Sequence, residues 1–92
     1  MENEQFVWVF CGPKGHFPGG IFLSLEKAEA WISHYHLAGV LTRYPLDQGS
    51  FDWAQKKGWV PERKIASLDP DFIASFSSGC FDHFHYENGV RD

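Results

Sequence analysis

Residues 5 to 11 read Gln5-Phe6-Val7-Trp8-Val9-Phe10-Cys11, an unbroken run of aromatic and β-branched residues that opens the hydrophobic pattern of the chain. These types suit a pleated, packed surface, so the run predicts a strand. Side chains alternate along a strand, which puts Phe6, Trp8 and Phe10 on one face and Val7 and Val9 on the other. Both faces are apolar. The pattern fits a central strand covered on both sides, or one whose aromatic face is kept for a partner.

Four Gly and two Pro fall within residues 12–20, and these punctuate turns, so a loop or wide hairpin connection follows. Ile21-Phe22-Leu23 predicts a short second strand. Ser24 then has the chemistry of a helix N-cap, with Glu26 in the first turn where negative charge suits the helix dipole. Leu25, Ala28, Trp31, Ile32 and Tyr35 follow three- and four-residue spacing, while Glu26, Lys27, Glu29 and Ser33 fall between them. This predicts an amphipathic helix to about His36, with its apolar stripe over Val7 and Val9. Gly39 opens a third strand, Val40 to Tyr44, that Pro45 ends.

Further on, Ser50 can cap a short helix from Phe51 to Lys57 that stops at Gly58. Residues 59–67 show no clear period and read as a surface connection. Asp69 before Pro70 is a cap and first-turn pair for another short helix carrying Phe72, Ile73 and Phe76. The stretch Cys80 to Glu87 predicts a last strand bounded by Asn88-Gly89, with Phe81, His83, His85 and Glu87 on one face. The order β-β-α-β-α-α-β makes residues 1–92 one α+β domain. Its mostly antiparallel sheet has about four strands, packed with one long and two short helices. With a single long helix, the aromatic face of the first strand is expected to be met by the short helices, which bring Trp53, Phe72 and Phe76.

Composition narrows the class. The aromatic share is 17%, with four Trp and nine Phe, an excess that serves a packed core and an anchor-rich interface alike. Twelve acidic against eight basic residues leave a net charge of −4. Phosphate backbones are bound mainly through Lys and Arg, and only Lys56/Lys57 and Arg63/Lys64 are adjacent here, so nucleic acid is not an expected partner. A basic protein is, because opposite net charge speeds encounter. No apolar run approaches the roughly 20 residues of a membrane span. Cys11 and Cys80 are too few for a disulfide framework, and the N-terminal residues lack the pattern of a signal peptide. A cytoplasmic location with reduced thiols is therefore expected.

Candidate chemistry is sparse. His83 and His85, two apart on a strand, place two imidazoles on one face as an alternative metal pair. No CxxC or HExxH spacing accompanies them, and His34 and His36 on a helix would point about 200° apart. Neither cysteine sits in a recognisable activating motif, and paired carboxylates at Asp69/Asp71 are explained by helix capping. No catalytic residue and no cofactor is therefore assigned. Trp53, Trp59 and Tyr44 cluster near the second helix, flanked by Asp47, Asp52 and Glu62. They read as a small satellite core or as an aromatic anchor surface for a basic partner, and these six are the candidate binding residues.

Trp8-Val9-Phe10, Ile21-Phe22, Lys27 to Ile32, Leu41-Thr42 with Tyr44-Pro45, Phe51 to Ala54 and His83 to Gly89 together resemble a family of small, functionally uncharacterised bacterial proteins. The resemblance spans nearly the whole chain and implies a single compact domain, with no known activity. In size and acidity the chain is also similar to immunity proteins that neutralise bacterial toxins. The expected function is thus a non-catalytic, immunity-type module that binds a basic toxin domain. The alternative is a small metal-binding or enzymatic domain using His83 and His85, and a third option is a homodimer formed through an exposed edge strand.

Overall fold

The computed structural model describes residues 4–62 and 69–92. The strands are β1 (Phe6–Cys11), β2 (Gly20–Phe22), β3 (Gly39–Pro45), β4 (His83–Glu87) and β5 (Val90–Arg91); the helices are α1 (Leu25–His34), α2 (Ser50–Lys56) and α3 (Pro70–Ala74). The strands form one sheet in the order β2-β1-β3-β4-β5, every neighbouring pair antiparallel. The predicted α+β class holds, with one strand more than the pattern suggested. The extra strand is β5. Asn88 and Gly89 both adopt positive φ, 51° and 78°, the combination of a tight two-residue hairpin turn, so this pair reverses the chain instead of ending the sheet.

The sheet register sorts side chains onto two faces. Phe10 pairs with Leu41, Leu41 with Phe84, and Trp8 with Phe22, so these share one face with Tyr86, opposite Gly39. That face carries the main core: Phe10, Ala28, Ile32, Leu41 and Tyr86 are buried, with Trp8, Phe22, Leu25, Trp31, Leu37 and Phe84 packed around them. Ala28 and Ile32 come from α1. The expectation that α1 covers Val7 and Val9 is therefore corrected: α1 lies over Trp8 and Phe10.

Topology supplies the reason. β2 and β3 flank β1 and run parallel to each other, so β2-α1-β3 is a crossover whose handedness decides which face the helix covers, and periodicity carries no handedness. Ser24 caps α1 as predicted, accepting from Lys27 N at 3.2 Å. The helix ends before His36, and Tyr35 is 59% exposed rather than part of the buried stripe.

A second cluster closes the other end of the sheet. Phe51, Trp53, Ala54, Val60 and Phe81 are buried there, joined by Phe6, Tyr44, Trp59, Phe72 and Phe76. Of the three aromatic residues of β1, only Phe6 meets this cluster, edge-on to Trp53 at 5.6 Å, which corrects the assignment of Trp8 and Phe10 to the short helices. The aromatic residues divide between the two clusters, and here they form an edge-to-face web that includes Trp53–Trp59 at 5.3 Å and Trp53–Phe81 at 5.4 Å.

Gly49, not Ser50, occupies the N-cap of α2 and offers no side-chain bond. The helix closes as expected at Gly58, with Gly58 N bonded to Gln55 O and Trp59 N to Ala54 O, the paired bonds of a Schellman end. Asp69 caps α3 through Phe72 N at 2.9 Å, as predicted. Cys80 falls outside β4. Val60 is buried, so the segment after Trp59 is not wholly a surface connection; its continuation over 63–67 lies outside the described residues, as does the Arg63/Lys64 pair.

Candidate functional site

Two regions have the geometry of a site. The first lies where the turn after β3 meets the entry to β1. Leu46 N bonds to Gln5 O at 2.8 Å, and Asp47 takes a left-handed conformation at φ 61°, which folds the turn against the start of α2. The result is a cleft of about 800 Å³ lined by Glu4, Asp47, Gln48, Trp53, Lys56 and Lys57 among others. Trp53 Nε1 donates to the Glu4 carboxylate at 2.7 Å, and Gln48 Nε2 donates to the same oxygen at 3.5 Å. The indole donor, more than the neighbouring lysines, holds Glu4 below the usual carboxylate range. Lys56 Nζ donates to Gln48 Oε1 at 3.4 Å, and Lys57 Nζ stands 5.2 Å from the centre of the Trp53 ring. Acids and lysines interleave, so the cleft has no single sign.

The six candidate binding residues divide around this cleft. Asp47, Asp52 and Glu62 are exposed, while Tyr44 and Trp59 are half-buried. Trp53 is 8% exposed, in T-shaped contact with Phe6, Trp59 and Phe81 and with its nitrogen bonded to Glu4. Burial raises the Tyr44 hydroxyl above the usual tyrosine range, and its ring packs edge-on to Phe81 at 5.5 Å. Glu4, Gln48, Lys56 and Lys57 escaped the reading of the sequence as site residues. Glu4 reaches Trp53 across 49 positions, and no local spacing announces such a contact.

The second region is the sheet face opposite α1. Its side chains are Ile21 on β2; Val7, Val9 and Cys11 on β1; Val40, Thr42 and Tyr44 on β3; His83, His85 and Glu87 on β4; and Val90 on β5, as the register requires. Val7, Val9 and Val40 are half-buried and join neither core cluster. Ile21 and Val90 are 64% and 66% exposed. Among the described residues no helix covers these valines. His83 and His85 stand exposed beside them, ring centres 5.2 Å apart, and Phe81 O lies 2.7 Å from His83 Nδ1. Next to His85, a depression of about 420 Å³ is lined by Cys11, Glu87 and Asp92 among others.

On the covered side, a charged cluster ties the last hairpin to α1. The Tyr86 hydroxyl donates to Glu29 Oε2 at 2.5 Å, and Arg91 Nε donates to the same oxygen at 2.9 Å. Burial, followed by the bond to Glu29, pushes the Tyr86 hydroxyl up to about 12. For Glu29, burial acts upward, but the bonds from Tyr86 and Arg91 outweigh it and hold the carboxyl below its usual range.

Cys11 and Cys80 are free thiols. Among the described residues no group of three or more His, Cys, Asp or Glu is placed to hold a metal ion, and no helix is long and apolar enough to cross a membrane. No curated protein and no solved structure matches the chain. A family model does match, and it runs from Val7 in β1 to Asp92 beyond β5, taking in the open sheet face, the first core, and the second core and cleft apart from Phe6, Glu4 and Gln5; the chain belongs to the family described as Domain of unknown function (DUF7710).

Proposed function

We propose that the chain is a non-catalytic protein-binding module of the immunity type, which neutralises a basic toxin domain by direct binding through the open sheet face. The observation that supports this is the apolar band of Ile21, Val7, Val9, Val40 and Val90, which no helix covers among the described residues. Ile21, Val7, Val9 and Val40 lie together across β2, β1 and β3, with His85 and Glu87 between them and Val90, and uncovered apolar surface of this kind on a small domain suits an interaction site. A basic partner follows from charge: the net charge is −4, Glu87 lies on the face itself, and Asp47, Asp52 and Glu62 are exposed. Such charges steer encounter over distances longer than a contact, while the valines supply the buried area. Tyr44 borders the face and the second cluster, and Trp53 and Trp59 fix that border from within.

Co-purification of the chain with a toxin domain encoded beside it tests the proposal, with Val9→Lys as the variant. Val9 belongs to neither core cluster, so the variant is expected to fold, lose binding and stop protecting cells. Absence of binding to such a domain, or undiminished binding by Val9→Lys, would overturn the proposal. So would light scattering that shows the free chain already dimeric, with Val9→Lys restoring the monomer. The edge strands β2 and β5 span only three and two residues, which makes them poor templates for pairing through an edge.

A further inference from the structure

We infer that His83 and His85 form a two-imidazole half-site for a divalent transition-metal ion such as zinc, on the open face of the sheet. With a Zn–N bond of about 2.0–2.1 Å and a ring nitrogen about 1.2 Å from its ring centre, each centre stands about 3.2 Å from the metal, so two rings at the tetrahedral angle lie about 5.2 Å apart. The His83 and His85 ring centres are 5.2 Å apart with their planes at 80°, so a turn of each exposed ring brings both onto one ion without moving the strand. The strand sets this spacing, because positions two apart project from the same face of β4.

A second feature is independent of the spacing. His83 Nδ1 lies 2.7 Å from Phe81 O, a carbonyl that can only accept, so the ring donates from Nδ1 and leaves the Nε2 lone pair outward. Metal-binding histidines characteristically donate their other nitrogen to a carbonyl or carboxylate in this way. Both rings are exposed, so neither leaves a packed position to bring Nε2 onto a shared ion. Glu87 and Asp92 are among the residues lining the depression beside His85, and their negative charge favours a cation nearby. The described residues supply two ligands, and water fills the remaining positions. Affinity is accordingly far below that of a four-ligand structural site, and folding does not depend on the ion.

The site shares its face with the proposed docking surface but does not depend on that reading, since the test contains no partner. Zinc chloride is titrated calorimetrically into the full chain, purified without a histidine tag. The expected result is one zinc per chain, with His83→Ala and His85→Ala each weakening binding at least tenfold and His16→Ala leaving it unchanged. In parallel, the imidazole proton signals of His83 and His85 shift on adding zinc, while those of His16, His34 and His36 stay in place. No binding at millimolar zinc, binding indifferent to both substitutions, or shifts confined to the other histidines would overturn the inference.

Discussion

Gly89→Ala offers the sharpest test of how the sheet is held to its helix. Gly89 sits in the β4–β5 turn at φ 78°, and its amide donates to Leu37 O at 2.9 Å. A Cβ added there would stand 3.0 Å from His36 Cα, 3.1 Å from Ser33 Cα and 3.2 Å from Ile32 O. All three are backbone atoms of the α1 terminus, which cannot turn aside as a side chain can. Gly58 supplies the control, because its φ is 77° but nothing lies within 4 Å of its added Cβ. Left-handed backbone costs an alanine about 1–2 kcal/mol at either position. Overpacking adds about 1–3 kcal/mol at Gly89 alone. For a domain of this size about 1 kcal/mol moves Tm by roughly 4–8 °C, so Gly89→Ala should melt at least about 4 °C below Gly58→Ala. Thermal unfolding followed by circular dichroism at neutral pH decides the matter, and equal Tm values would refute the claim that turn and helix end are in hard contact.

Three further outcomes are expected. Tyr86→Phe removes the hydroxyl bond to Glu29 and should cost about 1 kcal/mol in urea unfolding at neutral pH. Because folding raises the Tyr86 hydroxyl from 10 to about 12, its contribution is fully present below pH 10 and disappears as pH rises through 12, so the gap between variant and parent should close over that window. Trp53→Ala should cost about 3–5 kcal/mol, whereas exposed Glu62→Ala should stay within about 0.5 kcal/mol; equal effects would contradict the core role of Trp53. His36, at φ 55° in the Schellman end of α1, should gain stability on His36→Gly, by up to about 1 kcal/mol in the same assay.

The elements were legible in the sequence wherever a local rule produces them. Alternation in residues 6–10, the Ser24 and Asp69 caps and the Gly58 stop all act within a few residues of chain, and each stands in the fold. What local rules miss is handedness and reach. Which face of β1 takes α1 depends on the sense of the crossover between β2 and β3, and that sense is not encoded in the period of α1. The candidate regions divide the same way. The His83/His85 pair is local and readable, while the cleft rests on Glu4 meeting Trp53. The open face became visible only once the helix was seen to cover the other one.

In β1 the division of labour is complete at the level of single residues: Trp8 and Phe10 face α1, and Val7 and Val9 between them face away from it. On the proposed binding role, folding and recognition are thereby written on alternate letters of the same word. Outward positions such as Val7, Val9 and Val40, which join neither core, can change while the inward letters keep the architecture constant, whereas outward Tyr44 is tied to the second cluster. If the proposed binding role holds, such a scaffold lets specificity change at little thermodynamic risk.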